Sequence, residues 1–90
     1  MQHILIADDN EDIREVLGMY VVKEGFEPVL ASDGIEAFEM FKKCNPAVVL
    51  LDIMMPGMDG YKVCKKIRET SDVPIILITA KGEDYERVMG

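Results

Sequence analysis

The sequence predicts an α/β fold, a parallel β-sheet with helices on both faces, and three observations lead there. Short apolar runs alternate with amphipathic helical stretches four times within 90 residues, the pattern of successive βα units. The apolar runs are continuous, as in strands covered on both faces, not alternating as in a sheet with one wet face. Aspartates directly follow the first and third runs. Right-handed crossovers follow from strand twist.

Each element has its own signals. His3 to Ala7 (HILIA) is a buried strand, bounded by Asp8-Asp9-Asn10. From Glu11 the period changes: Ile13, Val16, Leu17, Tyr20 and Val21 form one apolar helical stripe. Asn10 is placed to cap that helix, Glu11 and Asp12 suit its first turn, and Gly25 supplies a left-handed stop. Glu27 to Ala31 (EPVLA) is a second strand, and Pro28, which has no N–H to give, puts it at a sheet edge. Ser32-Asp33-Gly34 opens the next helix, with Asp33 and Glu36 as a capping box; Ala37, Phe38 and Phe41 form its buried side, and Asn45-Pro46 ends it. Ala47 to Leu51 (AVVLL) is the most uniformly apolar run and reads as a central strand, followed by Asp52 and a loop over Ile53 to Met58. Asp59 caps a third helix with Val63, Cys64 and Ile67 inward and Lys62, Lys65, Lys66 and Arg68 outward. Val73 to Thr79 is a fourth strand, and Glu83 to Met89 reads as the first turns of a fourth helix.

Composition bounds the function. Ninety residues allow one domain, and 49% apolar with 30% charged residues is globular rather than disordered. Seventeen acidic against ten basic residues give a net charge of −7, which argues against direct nucleic-acid binding, since a phosphate backbone needs a cationic face. No apolar run approaches the roughly 20 residues of a membrane helix. Met1-Gln2-His3 runs straight into a strand without a charged leader, so no secretory signal is expected. Cys44 and Cys64 are too far apart for a CxxC motif and read as free thiols of a cytoplasmic protein.

The placement of the carboxylates is the functional signal. In a parallel sheet Asp8, Asp9, Asp52 and Thr79 share the carboxyl edge, where open α/β sheets bind ligands at a reversal of strand order. With an order 2-1-3-4, that reversal brings Asp8, Asp9 and Asp52 together. Packed carboxylates repel one another, raise their pKa values and destabilise the fold unless a cation joins them. Mg²⁺ suits best, because it takes one or two carboxylates and leaves positions for phosphate oxygens. Asp9 or Asp59 alone would be an ordinary turn or cap residue, but an acidic pair after one buried strand and an Asp after another is costly without a task. Asp52 has the chemistry of a nucleophile, since carboxylates form acyl phosphates, with a metal screening and aligning the incoming group. Thr79 offers a hydroxyl to a phosphoryl oxygen, although a β-branched residue is also ordinary at a strand end. Lys81 reads as a solvated loop residue, and His3, at the opposite end of the sheet, as a structural or exposed histidine. Met54, Met55 and Met58 fringe the site.

The segments ILIADDNEDIR, VVLLDIMMPGMDG and PIILITAKGE together resemble the receiver domain of bacterial two-component response regulators, over His3 to Gly90. The resemblance implies a flavodoxin-like sheet with strand order 2-1-3-4. It implies that Asp52 takes a phosphoryl group from a sensor histidine kinase or phosphotransfer protein. Asp8 and Asp9 would hold Mg²⁺, Asp9 more directly, with Asp52 and the backbone carbonyl of Met54 as further ligands. Thr79 would be the switch hydroxyl, Ala80 the small residue beside it, and Pro56 and Gly60 would shape the loop after the acceptor. Such a module is not an enzyme beyond self-catalysed phosphorylation and dephosphorylation.

A receiver has five βα units and runs roughly 30 residues further, within the usual domain size. Residues 1–90 therefore read as a truncated receiver, its first four βα units. The family's fifth strand carries a lysine that pairs with the phosphoryl group and an aromatic residue that rotates with the switch threonine. Without the fifth unit, strand four becomes an edge exposing Ile75, Ile76, Leu77 and Ile78, and homo-oligomerisation through that edge or by swapping elements is expected. Loss of a fixed cation of this kind is worth about 3–4 kcal/mol, so Mg²⁺ binding survives while phosphorylation slows. Two other readings remain. One is a receiver-derived structural or self-associating fragment with little transfer activity. The other is a small Mg²⁺-dependent phosphohydrolase; such enzymes place a second acid two residues after the nucleophile, where this chain has Met54.

Overall fold

The computed structural model describes residues 2–78, and every structural statement below refers to them. Thr79, Ala80, Lys81 and the helix expected over Glu83 to Met89 lie outside the described residues.

The elements are β1 (His3–Ala7), α1 (Glu11–Lys23), β2 (Glu27–Ala31), α2 (Gly34–Cys44), β3 (Val48–Asp52), α3 (Gly60–Arg68) and β4 (Ile75–Ile78). The sheet order is β2-β1-β3-β4 and every pairing is parallel, the flavodoxin-like topology. Pro28 lies in β2, at one end of that order, where its missing N–H costs no ladder bond.

Side-chain alternation along the strands divides the core. Leu5 and Ala7 of β1, with Val49 and Leu51 of β3, join Ala37 and Phe41 of α2 and Val63 and Ile67 of α3 in one buried cluster. Ile4 and Ile6 join Val21 of α1, with Leu17, Phe26, Val48 and Leu50 packed around them. The continuous apolar runs thus serve two opposite faces. Lys42 and Lys66 set their ammonium groups 4.9 and 5.2 Å from the centre of the Phe38 ring, tying α2 to α3 at their cationic rim.

The helix starts form as their sequences dictate. Asn10 Oδ1 accepts from the Ile13 amide at 3.1 Å, Asp33 Oδ1 from Glu36 at 2.7 Å, and Asp59 Oδ1 from Lys62 at 3.0 Å. The capping box of α2 differs in one respect. Glu36 reaches past the cap to the amide and hydroxyl of Ser32, at 2.8 and 3.0 Å. Gly25 (φ 89°) and Asn45 (φ 47°) supply left-handed turns after α1 and α2.

Three expectations need correction. β3 runs Val48–Asp52 rather than Ala47 to Leu51, because Asp52 still pairs with Ile78 and the next amide, of Ile53, donates to the Ile78 carbonyl at 3.0 Å. β4 begins at Ile75 rather than Val73; the Val73 carbonyl instead accepts from Arg68 Nη1 at 2.6 Å. On α1, Val16 and Tyr20 are exposed. The helix packs against β1 and β2 through its Leu17 and Val21 side, which leaves the Val16 flank outside the contact.

Candidate functional site

The register of the sheet builds the site. Ala7 pairs with Leu51 across β1 and β3, so the next residues, Asp8 and Asp52, emerge side by side at the carboxyl edge. Asp8 is 2% and Asp52 5% exposed, while Asp9 is exposed to solvent. One carboxylate oxygen from each of the three residues lies within 4.8 Å of the others. The convergence expected from the strand ends is therefore present.

Backbone groups hold the two buried carboxylates. Asp8 Oδ1 accepts from the Asn10 amide at 2.9 Å, and Asp52 Oδ1 from the Met54 amide at 3.2 Å. Each bond spans two residues, the Asx-turn geometry available to a short carboxylate side chain. The Asp8 amide continues the sheet by donating to Ala31 O at 3.1 Å. Burial pushes the Asp52 carboxyl up to about 6, and the Asp8 charge beside it adds to that shift; the Met54 amide works in the opposite direction. Asp8 is also raised, first by burial and then by Asp9, against the lowering effects of the Asn10 amide and the Arg14 cation. Mutual repulsion, the cause expected from the sequence, operates, but burial is the larger one in both residues.

Three oxygen donors at such spacing, two of them buried at an energetic cost, form a hard donor set that fits Mg²⁺. Burial sets the Asp52 carboxylate apart from a fully solvated one.

The loop after Asp52 is fixed by two close approaches. The Gly60 amide donates to Ile53 O at 2.9 Å, and a Cβ on Gly60 would overlap the Asp52 carbonyl oxygen and the Ile53 Cα. A Cβ on Gly34 would overlap the Met58 carbonyl. Gly57 adopts φ 80° within the same loop. Met55 is buried and Met54, whose amide donates to the Asp52 carboxylate, is exposed. Thr79 is outside the described residues. His3 lies at the opposite end of β1, 3.2 Å from Glu27, away from the aspartates.

One residue of this neighbourhood escaped the sequence. Arg14 Nη1 donates to the Asp8 carbonyl at 2.8 Å. Its position one turn into α1, on the Leu17 side of the helix, and at the end of the ILIADDNEDIR segment, is a signal that an apolar-stripe reading passes over.

The family model for the response regulator receiver domain matches residues 4–89, and the chain belongs to that family. It is 51% identical over 87 residues to the transcriptional regulatory protein SrrA of Staphylococcus aureus, covering 97% of this chain and 36% of that protein. It thus spans little more than a third of the length of such relatives. The crystal structure of response regulator TrrA from Thermotoga maritima, in complex with Mg²⁺-BeF, superimposes with a TM-score of 0.85 at 40% identity, covering 96% of this chain and 76% of that one. The crystal structure of histidine kinase ThkA in complex with TrrA gives a TM-score of 0.81 at 43% identity, over 89% of this chain and 70% of that one. No helix among the described residues is long and apolar enough to cross a membrane.

Proposed function

We propose that this chain is a phosphoacceptor module in which Asp52 receives a phosphoryl group from a histidine kinase or phosphotransfer protein, with Mg²⁺ held by Asp8, Asp9, Asp52 and the Met54 carbonyl. The observation that carries this reading is the convergence of the three carboxylates within 4.8 Å at the sheet edge. The likeness to TrrA, solved with Mg²⁺-BeF and with the kinase ThkA, supports both the cation and the partner class.

The chemistry assigned to the chain's own atoms is short. An ionised Asp52 oxygen attacks phosphorus, the bond from phosphorus to the donor histidine nitrogen breaks, and the nitrogen leaves with the electron pair. The product is a mixed anhydride on Asp52. With a pKa of about 6, Asp52 is mainly ionised at neutral pH and ready to attack. The Met54 amide holds one Asp52 oxygen, which leaves the other to react. Bound Mg²⁺ would supply charge neutralisation for the incoming phosphoryl oxygens. Thr79, next after β4, is proposed as the hydroxyl that meets the phosphoryl group.

Beryllium fluoride with Mg²⁺ tests this reading without a kinase. A rise in melting temperature that needs both components, and that Asp52→Asn abolishes, is expected. An equal rise in Asp52→Asn would refute the assignment.

A further inference from the structure

We infer that Arg14 is a positioning residue for the cation site: its guanidinium fixes the peptide between Asp8 and Asp9 and so aims the Asp9 carboxylate. This rests on the reading of the aspartates as Mg²⁺ ligands.

Asp8 is held at three points. Its amide donates to Ala31 O at 3.1 Å, its carboxylate accepts from the Asn10 amide at 2.9 Å, and its carbonyl accepts from Arg14 Nη1 at 2.8 Å. The first two fix Asp8 itself. The carbonyl belongs to the peptide that leads into Asp9, and it lies beyond the last registered strand pairs, Ala7 with Ala31 and with Leu51. Arg14 reaches it from the second turn of α1, six residues along the chain. Asp9 is exposed, so packing does little to direct its side chain, and the orientation of the peptide behind it matters more. A partner that orients a ligand without touching the metal is the usual second requirement of a metal site.

The same side chain has an opposing effect. The guanidinium favours the charged form of the Asp8 carboxylate, but it also repels an arriving Mg²⁺. Positioning and charge therefore predict opposite signs for the affinity when Arg14 is replaced, and the sign decides between them.

The test is a calorimetric Mg²⁺ titration of the 90-residue chain at fixed ionic strength, with Arg14→Met, Arg14→Gln and Arg14→Lys. Melting curves without metal accompany it. Met removes donor and charge, and Gln is too short to span the same gap and carries no charge. Both are expected to weaken Mg²⁺ binding about tenfold, and Lys, a charged donor of similar reach, recovers part of the loss. Should Met fail to fold, Gln carries the same expectation. Unchanged or tighter binding in the folded Met or Gln variant overturns the inference, because a purely structural role lowers the melting temperature alone and a pure charge role tightens binding. Failure of the unsubstituted chain to bind Mg²⁺ instead overturns the reading of the aspartates as a cation site, and the inference with it.

Discussion

Asp52 is where the site costs the fold most. It is buried at 5% exposure beside Asp8, with its pKa raised from 3.8 to about 6. Replacing it by Asn keeps the shape and removes the charge. The metal-free Asp52→Asn chain is expected to be more stable by roughly 1–3 kcal/mol at neutral pH, read from urea unfolding; a loss of stability would contradict this. The pH dependence has a definite sign. Because the folded-state pKa of Asp52 lies above the unfolded value, protonation favours the fold. Its contribution is fully present below about 3.8 and lost as pH rises through about 6. The stability gap between Asp52→Asn and the unsubstituted chain should therefore widen from about pH 4 to about pH 6 without metal and level off above that. Stabilisation by Mg²⁺ should grow as pH rises through about 6, since the cation needs ionised ligands. Thermal melts of both chains, with and without Mg²⁺, check both statements. Asp8, Asp9 and Asp52 were legible in the sequence because a strand's end fixes where its next residue emerges. Arg14 was not, because its partner is a backbone carbonyl, and a carbonyl leaves no mark in the sequence. Nor did the sequence rank burial above repulsion, which depends on how deeply the strand ends are covered.

At the scale of elements, the loop between β3 and α3 is held by contacts that only glycine permits. Gly60 occupies the first position of α3, and its missing Cβ lets the helix start against the Asp52 carbonyl. Alanine in an open helix would be favourable by up to about 1 kcal/mol. Here the neighbouring atoms are backbone and have little freedom to yield, so Gly60→Ala is expected to destabilise by about 1–3 kcal/mol. Gly34→Ala, against the Met58 carbonyl, should behave alike. Urea midpoints decide; an unchanged or raised midpoint for Gly60→Ala would show that the loop adapts. The caps at Asn10, Asp33 and Asp59 were legible because a cap is a local interaction with a fixed spacing. Both ends of β3 and the start of β4 lie one or two residues from where the sequence places them, since those boundaries depend on neighbours: Ile78 extends β3, and the Val73 carbonyl accepts from Arg68. Helical periodicity gives the width of the α1 apolar stripe but not how much of it a neighbour covers, and the Val16 and Tyr20 flank is exposed.

In the molecule as a whole, the sheet has β2 at one end and β4 at the other among the described residues. β2 is blunted by Pro28, whereas β4 is four apolar residues, IILI, with Ile76 54% exposed. The parallel sheet and its two-sided core were legible from the continuous apolar runs, because only strands covered on both faces lack polar alternation. Strand order was not legible from those runs alone and came through the family resemblance. Under the proposed function, the three gathered aspartates let Asp52 accept a phosphoryl group. Intact-mass measurement after incubation with a small-molecule phosphodonor, with and without Mg²⁺, is the decisive check. The prediction is a single added phosphoryl group that requires Mg²⁺ and is absent from Asp52→Asn. Failure of the chain to take up the group over a prolonged incubation, or uptake undiminished in Asp52→Asn, would contradict it.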